Sequence, residues 1–316
     1  MSRAAVIVNP AARGGAAEVA EDVAGRLRSV CDTVDVVRTE AAGGGVLAAR
    51  EAVAQKGTLL LVAVGGDGTA REVAQGMAEG LGTWHSGGVA PAGAPELLIV
   101  PAGTGNSVHR ALWGDRPWQD AVDLLGRSEV VRRDLDLARV EGHDRAVLLG
   151  ASAGFLRWAV EATVRFPDLA GRELYAAAGL AAAQELRPFA GRVSIDGRLL
   201  CEGPMALAAV GGARQRGGSL QVLPRSRLDD GLLDACVLSA RDAEAAMTLL
   251  MLAMDGSHLD QRGVRYAQGR SVTLESLDGP LAFEHDGDVW PGDERSLTLT
   301  VVPAAVPVVS PPLWEQ

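Results

Sequence analysis

The sequence predicts two successive domains, a doubly wound α/β domain followed by an antiparallel β-rich domain. Before Asp134, short apolar runs alternate with segments of helical spacing. One run, residues 59–64, is apolar throughout, as expected for a strand buried on both faces of a parallel sheet. After Asp134, many short apolar runs are separated by turn residues. Strand–helix alternation followed by a strand-rich half predicts this order of domains.

In the N-terminal part, each apolar run precedes a candidate helix. The predicted strands are residues 4–8, 34–37, 59–64 and 97–100, and the predicted helices are residues 16–30, 46–54, 69–79 and 106–112. Ligands of open parallel sheets bind beyond the carboxyl ends of the strands. Gly-rich segments follow the first, third and fourth strands, so this edge is the expected binding edge.

The C-terminal part is predicted to be mainly antiparallel sheet with two helical insertions. The predicted strands are residues 147–149, 193–195, 205–210, 233–238, 272–274, 281–283 and 297–302, and the helical stretches are residues 155–184 and 242–252. We therefore place the α/β domain at residues 1–133 and the β-rich domain at residues 134–302. Residues 303–312 carry four prolines and are predicted to form an extended tail, and the segment 303–316 could pack back on the first domain.

Composition limits the possible partners and compartments. The net charge of −10 argues against nucleic-acid binding, which normally uses a basic face. The three cysteines include no CxxC pair, so neither a zinc site nor a disulfide framework is indicated, and a reducing cytoplasm is expected. No apolar segment is long enough to span a bilayer, and we expect a soluble protein that meets any lipid at a surface.

The most informative segment is Gly65-Gly66-Asp67-Gly68-Thr69, between a buried strand and a helix. Glycines let the backbone approach a ligand closely, and a helix N-terminus favours phosphate oxygens. Asp67 is poorly suited to touch phosphate directly, and it would hold a metal or order the loop. A tight turn with an Asp cap is the simpler alternative. Similar loops at residues 9–15 and 101–106 favour a nucleotide site built from three loops.

In these loops and in several later segments, the chain resembles the diacylglycerol kinase catalytic family, which includes bacterial lipid kinases and sphingosine kinases. The matching segments in the first half are Asn9-Pro10 with Gly14, Gly65-Gly66-Asp67-Gly68-Thr69 with Glu72, and Pro101 to Asn106 with Arg110. Those in the second half are Gly150 to Phe155, Gly217-Gly218 through Pro224 to the DDGLLD run ending at Asp234, and Asp286-Gly287-Asp288.

The resemblance implies a fold like that of NAD kinase and phosphofructokinase in the first domain, a lipid-substrate domain after it, and catalysis in the cleft. It implies ATP- and Mg²⁺-dependent phosphorylation of a hydroxyl on a lipid such as diacylglycerol or a sphingoid base. Asp286 would be the catalytic base, and Asp288 would support the metal or orient Asp286. The implied nucleotide-binding residues are Asn9, Pro10, Gly65, Gly66, Asp67, Gly68, Thr69, Glu72, Gly103, Thr104, Gly105 and Asn106. Asp67, Asp136 and Asp230 would form a carboxylate network for a second, structural Mg²⁺.

Two positions depart from the family pattern. Ser107 stands where the bacterial proteins usually have Asp, which removes one carboxylate from the implied structural metal site. Asp288 stands where Glu is common, and its side chain is one methylene shorter. A nucleotide or lipid sensor without catalysis is therefore an alternative, and an enzyme like NAD kinase is another.

The expected partner is a lipid at a membrane surface. The protein is expected to be cytoplasmic and to bind the membrane peripherally and transiently. The helical stretch 155–184, with Trp158, Phe166 and several arginines, is a candidate membrane contact. No nucleic-acid partner is expected, and a homodimer is possible. The acceptor lipid stays open, because acceptor choice depends on a cleft that motif reading does not resolve.

Overall fold

A computed structural model describes residues 2–12, 14–216 and 220–312 of the chain. The chain divides into two compact units, Met1–Leu137 with Val302–Gln316, and Ala138–Val301. The expected boundary after residue 133 falls inside a strand that runs from Val131 to Val140. Among the described residues, no helix has both the length and the apolar composition needed to cross a membrane.

The first unit is a parallel sheet with helices packed on it. Its strands are β1 (Arg3–Val8), β2 (Thr33–Arg38), β3 (Thr58–Gly65), β4 (Glu96–Pro101) and the first part of β5 (Val131–Val140). Its helices are α1 (Ala16–Leu27), α2 (Gly44–Ala54), α3 (Asp67–Leu81), α4 (Thr83–Ser86), α5 (Ser107–Trp113) and α6 (Trp118–Gly126). The order β4-β3-β1-β2 is parallel throughout, with β1 paired to β3 on one side and β2 on the other. This is the predicted doubly wound arrangement.

Burial explains why β1 and β3 read as continuous apolar runs. Residues 4–8 of β1 are all buried, and β3 has one exposed residue, Leu59. Helix α1 packs with α6, and α2 packs with α3, so helices cover the central strands. The α2–α3 contact depends on Gly76, because a Cβ there would lie 2.7 Å from the carbonyl carbon of Val46. The helix α6 and the strand β5 were not predicted from the sequence.

In its described residues, the second unit is an antiparallel sheet system with three α-helices. Its strands are β6 (Ala146–Val147), β7 (Gly150–Gly154), β8 (Phe189–Ile195), β9 (Arg198–Gly211), β10 (Leu233–Ser239), β11 (Val264–Gly269), β12 (Ser271–Ser276), β13 (Phe283–His285), β14 (Asp288–Val289) and the first part of β15 (Ser296–Ser310). Its α-helices are α7 (Phe155–Ala162), α8 (Gly171–Gln184) and α9 (Ala243–Leu252). The pairings within this unit are antiparallel, as predicted.

Two expectations for this half were wrong in detail. The helical stretch 155–184 is two helices, α7 and α8, joined by a 3-10 turn (Thr163–Arg165) and a connecting segment that contains Pro167. Residues 303–310, predicted to be a tail, form the second half of β15 in the first unit, where Val308 pairs with Leu97 of β4. The prolines in this strand cannot donate ladder hydrogen bonds, and burial of its apolar side chains on the sheet offsets that loss.

Candidate functional site

The three Gly-rich loops lie side by side at the carboxyl ends of β1, β3 and β4. The N–H of Asn9 donates to the carbonyl of Val64 at 3.3 Å, and the N–H of Ala102 donates to the carbonyl of Gly65 at 2.8 Å. The N–H of Gly14 donates to the carbonyl of Ala102 at 3.2 Å. The sequence motifs are therefore brought together as one backbone-bonded structure.

Two of these loops approach so closely that only glycine fits. A Cβ on Gly103 would overlap the Cα of Gly66 and lie 2.9 Å from its nitrogen. A Cβ on Gly65 would lie 2.7 Å from the Cβ of Thr69. Carbon atoms in ordinary contact are about 3.5–4.0 Å apart, so neither position accepts a side chain without movement of its neighbour. Gly103 thus allows backbone-to-backbone packing between the second and third loops, and Gly65 leaves room for the side chain of Thr69.

The loops border a pocket of about 930 Å³ in the first unit. The predicted residues that line it are Asn9, Pro10, Gly66, Gly68, Thr69, Glu72, Gly103 and Thr104. Helix α3 begins at this pocket, and its first backbone hydrogen bond runs from Ala70 to Gly66. The N–H groups of the first turn precede that bond, and together with the helix dipole they favour an anionic ligand.

Ala11 and Ala12, from the predicted loop 9–15, also line the pocket. The remaining lining residues, 38–42 at the end of β2, were missed at the sequence level. This segment has no Gly-rich motif. The available signal was topological, because β2 is the parallel neighbour of β1 and its carboxyl end must reach the same edge.

Asp67 and Asn106, predicted to bind the nucleotide, make contacts that shape the loops. The Oδ1 atom of Asp67 accepts the N–H of Val108 at 2.9 Å, which caps helix α5 from a neighbouring loop. Asn106 adopts a left-handed backbone conformation (φ 54°). Its Oδ1 accepts the N–H of Gly103 at 2.9 Å, and its Nδ2 donates to the Gly103 carbonyl at 2.8 Å. Of the two roles considered for Asp67, ordering the loop is the one with a contact in the structure.

Glu72 lines the pocket but also caps a second helix. Its two carboxylate oxygens accept the N–H groups of Gly43 at 2.9 Å and Gly45 at 3.0 Å. These donors lie at the start of α2, so the carboxylate complements that helix terminus. The side chain thus fastens α2 to α3 beside the pocket.

The three carboxylates predicted for a structural Mg²⁺ have other partners. Asp136 accepts the N–H of Ala304 at 2.7 Å, and Asp230 accepts the N–H of Leu232 at 3.0 Å. Within residues 2–12, 14–216 and 220–312, no group of three His, Cys, Asp or Glu side chains is arranged to hold a metal ion. A structural metal at these residues stays a prediction. The Gly217-Gly218 pair of the family motif lies outside the described residues.

Asp286, predicted to be the base, has both carboxylate oxygens bonded to backbone. Its Oδ2 accepts the N–H of Leu148 at 2.8 Å, and its Oδ1 accepts those of Leu149 at 2.8 Å and Gly150 at 3.1 Å. Its own N–H donates to the carbonyl of Gly150 at 2.9 Å. A carboxylate has about four lone-pair positions, so these donors leave one position on Oδ2 for a further proton. The bonds fix the orientation of the Asp286 carboxylate, and its role as the base stays a prediction.

Asp288 has the more available carboxylate of the two. It follows the two-residue turn Asp286-Gly287 at the start of β14. Its side chain is 52% exposed and contacts the guanidinium of Arg145 at 2.6 Å. An exposed ion pair of this kind contributes little to stability and can exchange partners.

An apolar pocket of about 290 Å³ lies in the second unit, among α7, α8 and α9. Its lining residues are Phe155, Leu156, Ala159, Val160, Tyr175, Ala176, Gly179, Leu180, Ala183, Leu220, Met247, Leu250, Met251 and Met254. Its large exposed apolar residues are Leu180 at 65%, Met251 at 63% and Met254 at 45%. A pocket with almost no polar groups and an apolar rim suits a hydrocarbon chain.

Asp234, at the end of the DDGLLD run, is fully buried. Burial raises the pKa of its carboxyl, and hydrogen bonds from Tyr266 and Gln268 oppose that shift. The Tyr266 hydroxyl donates to it at 2.5 Å, and burial raises the pKa of Tyr266 as well. Both side chains have hydrogen-bond partners within the protein. We therefore assign this buried pair a structural role.

Comparison with known proteins places this geometry in a family. Residues 3–140 match the family described as "Diacylglycerol kinase catalytic domain", and residues 149–310 match the "YegS C-terminal NAD kinase beta sandwich-like domain". A "Probable lipid kinase YegS-like" of Xanthomonas oryzae pv. oryzae is 31% identical over 289 residues, 90% of this chain and 88% of the relative. A "Diacylglycerol kinase" of Bacillus subtilis is 26% identical over 262 residues, 81% of this chain and 80% of the relative.

Solved structures agree on the fold. A diacylglycerol kinase from Bacillus anthracis superposes with a TM-score of 0.69 at 18% identity, covering 98% of this chain and 97% of that chain. Yeast NADH kinase gives a TM-score of 0.50 at 11% identity, covering 98% of this chain and 83% of that chain. Together with the relatives, these findings define a lipid kinase, a phosphotransferase. The chain belongs to the diacylglycerol kinase catalytic family, in the group with the YegS-type C-terminal domain.

Proposed function

We propose that this lipid kinase transfers the γ-phosphate of ATP, with Mg²⁺, to a hydroxyl of a membrane lipid such as diacylglycerol or a sphingoid base. The observation that carries the proposal is the pocket at the N-terminus of α3, bordered by three loops held together by backbone hydrogen bonds. Its size lies within the range of about 300–1,000 Å³ found for small-molecule sites.

The residues that line this pocket fit a nucleoside triphosphate. Gly68 faces open space, since a Cβ there would meet no atom within 4 Å, and it lines the pocket at the first turn of α3. Backbone N–H groups at such a turn bind phosphate oxygens. Residues 38–42 supply a further wall, which leaves room for the nucleoside part of the ligand.

A Mg²⁺ ion that is bound to the nucleotide does not need a complete set of protein ligands. The ion usually binds through one or two carboxylates together with substrate phosphates, and it neutralises the charge that develops during phosphoryl transfer. The exposed carboxylate of Glu40, on the pocket wall, is a candidate ligand for the phosphate-bound ion. The carboxylates of Asp67 and Glu72 accept backbone N–H groups and hold the loops and helices that shape the pocket.

For the proton acceptor we propose Asp286, the residue that motif position implies. Its three N–H bonds hold the carboxylate in place and leave one lone-pair position on Oδ2. Asp286 would accept the proton of the lipid hydroxyl as its oxygen attacks the phosphoryl group. Asp288, whose side chain is 52% exposed, would support the metal or orient Asp286.

The apolar pocket among α7, α8 and α9 would take part of an acyl or alkyl chain. Its rim residues Leu180 and Met251 are the exposed apolar groups that would touch the bilayer from which the lipid comes. Trp158, one of the residues expected to make this contact, is half-buried and packs against the core behind the pocket. Cytoplasmic location and homodimer formation remain predictions.

The test is phosphate transfer from γ-labelled ATP with Mg²⁺ to mixed micelles of single lipids. We expect labelled lipid with wild type and a loss of at least about 100-fold with Asp286→Asn, assayed below its unfolding temperature. That temperature should also fall, because the amide nitrogen that replaces one carboxylate oxygen cannot accept the backbone N–H bonded there. Asp288→Asn should leave the unfolding temperature unchanged and should lower transfer by less than Asp286→Asn. ATP binding without transfer to any lipid would instead identify a sensor.

Membrane contact is tested separately by co-sedimentation with liposomes. Leu180→Ser together with Met251→Ser should weaken sedimentation, because each exposed apolar side chain removed lowers the buried apolar area. The matched control is Leu199→Ser, since Leu199 is 62% exposed on β9 and does not line the pocket. Equal sedimentation of all three proteins would contradict the assignment of this rim to the membrane.

A further inference from the structure

A buried arginine lies close to the carboxylate proposed as the base. Arg216 is 6% exposed, and its Nη2 atom donates to Oε1 of Glu284 at 2.6 Å. Its Nη1 atom is buried and has no hydrogen-bond partner in the part of the chain that the structure describes. An unmet donor on a buried charged group is costly, so a partner from outside the chain is expected at this nitrogen.

The unmet nitrogen lies against Gly150. A Cβ built on Gly150 would lie 2.8 Å from Nη1 of Arg216, so a residue without a side chain leaves room for the guanidinium. The N–H of Gly150 donates to Oδ1 of Asp286 at 3.1 Å, and its carbonyl accepts the N–H of Asp286 at 2.9 Å. The base and the unmet donor therefore both lie next to a single glycine.

The same arginine is joined to the apolar pocket among α7, α8 and α9. The backbone of Arg216 exchanges hydrogen bonds with that of Leu220 in both directions, at 2.8 and 3.0 Å, and Leu220 lines the pocket. Asp286, the Nη1 atom and the apolar pocket thus follow one another in this unit. A glycerol ester carries its groups in the same order, with a hydroxyl, an ester carbonyl on the neighbouring carbon and then a hydrocarbon chain.

From this order we infer that Arg216 binds the acceptor lipid, with Nη1 donating to an ester carbonyl oxygen beside the reacting hydroxyl. The inference rests on the proposed function, because it takes Asp286 as the base and the apolar pocket as the site of the chain. A sphingoid base carries an ammonium group on the carbon next to the reacting hydroxyl, and an ammonium group has no lone pair for Nη1. Arg216 therefore selects an acylglycerol over a sphingoid base.

Two variants remove the donor in different ways. Arg216→Met with Glu284→Gln removes both charges, so that no unpaired carboxylate is left buried. Arg216→Lys keeps a charge for Glu284 but has one terminal nitrogen in place of two. The matched control is Arg227→Met, since Arg227 is exposed and pairs with Asp229 in the same segment.

The assay compares phosphate transfer to dioctanoylglycerol, an ester, and to dioctylglycerol, the ether of equal chain length that lacks the carbonyl groups. We expect kcat/KM of wild type to favour the ester by at least about tenfold, because a hydrogen bond to a charged group contributes about that much. Both changes at Arg216 should reduce the preference to within about twofold, while KM for ATP stays within about twofold of wild type. Arg227→Met should keep the wild-type preference. Each preference is a ratio within one protein, so it does not depend on the folded fraction.

Equal use of ester and ether by wild type, or a preference that survives both changes at Arg216, would overturn the inference. Faster transfer to a sphingoid base than to the ester would overturn it as well. If wild type transfers no phosphate to any lipid, the proposed function fails, and titration calorimetry with the same two lipids in mixed micelles then decides. Tighter binding of the ester that is lost in both variants supports the role of Arg216, and equal binding rejects it.

Discussion

Substitution of Gly103 by Ala tests whether the close approach of two loops sets nucleotide affinity. The added Cβ would overlap the Cα of Gly66 and lie 2.9 Å from its nitrogen. Restoring ordinary carbon contact, about 3.5–4.0 Å, requires the two loops to move apart by on the order of 1 Å. Gly66 precedes the first turn of α3, so this movement changes the aim of the N–H groups at the pocket.

The magnitude follows from two effects. Overpacking of a well-packed contact costs about 1–3 kcal/mol of stability. A displacement of about 1 Å in groups that orient a ligand can cost roughly 100-fold in reaction rate. We therefore expect Gly103→Ala to weaken ATP binding by about 10- to 100-fold and to lower the unfolding temperature.

Isothermal titration calorimetry with ATP and Mg²⁺ measures the loss of ATP affinity, and thermal unfolding measures the loss of stability. The matched control is Gly25→Ala in α1, where a Cβ would meet no atom within 4 Å. That change should leave ATP binding unaltered and should stabilise the helix slightly, by about 0.5–1 kcal/mol. The reasoning is refuted if Gly103→Ala binds ATP within about twofold of wild type and unfolds at the same temperature.

Three further changes test the fold around the two sites. Glu72→Ala removes the acceptor for two N–H groups at the start of α2 and should cost about 1–2 kcal/mol in urea unfolding, while Glu72→Gln should recover part of it. Gly76→Ala should reduce the urea midpoint more than that, because its Cβ would lie 2.7 Å from the Val46 carbonyl carbon; an unchanged midpoint would show that α2 can shift freely. Burial lowers the pKa of His258 below its ordinary 6.5, so the unfolded chain takes up a proton first and stability is lost as pH falls below that value. His258→Gln, which keeps a donor for the Val222 carbonyl, should flatten this acid loss in thermal unfolding measured from pH 7 to pH 5, and an identical pH profile would contradict the assignment.

The binding edge of the first unit could be predicted because its signals are local. A continuous apolar run such as residues 59–64 is typical of a strand in the centre of a parallel sheet, and the neighbouring helical patterns favour that reading. Each Gly-rich loop follows such a strand, so topology alone brings the loops to one edge. The segment 38–42 lines the same pocket, yet no residue type marks it.

The hydrogen-bond partners of individual carboxylates could not be predicted in this way. Motif position predicts Asp286 as the base, and the structure adds that its two oxygens accept three N–H groups of residues 148–150. Those donors lie about 137 residues away along the chain. The N–H group that a carboxylate accepts depends on strand pairing, which motif position does not encode. The assignment of Asp286 as the base awaits the transfer assay.

The sequence by itself determined the fold class, the family and the edge where the nucleotide loops meet, because hydrophobic period and glycine placement act over short distances. Only the tertiary structure decided which buried groups pair, as Glu284 does with Arg216, and which apolar side chains stay exposed, as Leu180 and Met251 do. It also placed residues 303–310 in a strand of the first unit. Burial and hydrogen bonding are properties of neighbours in space, and these neighbours are distant in the chain.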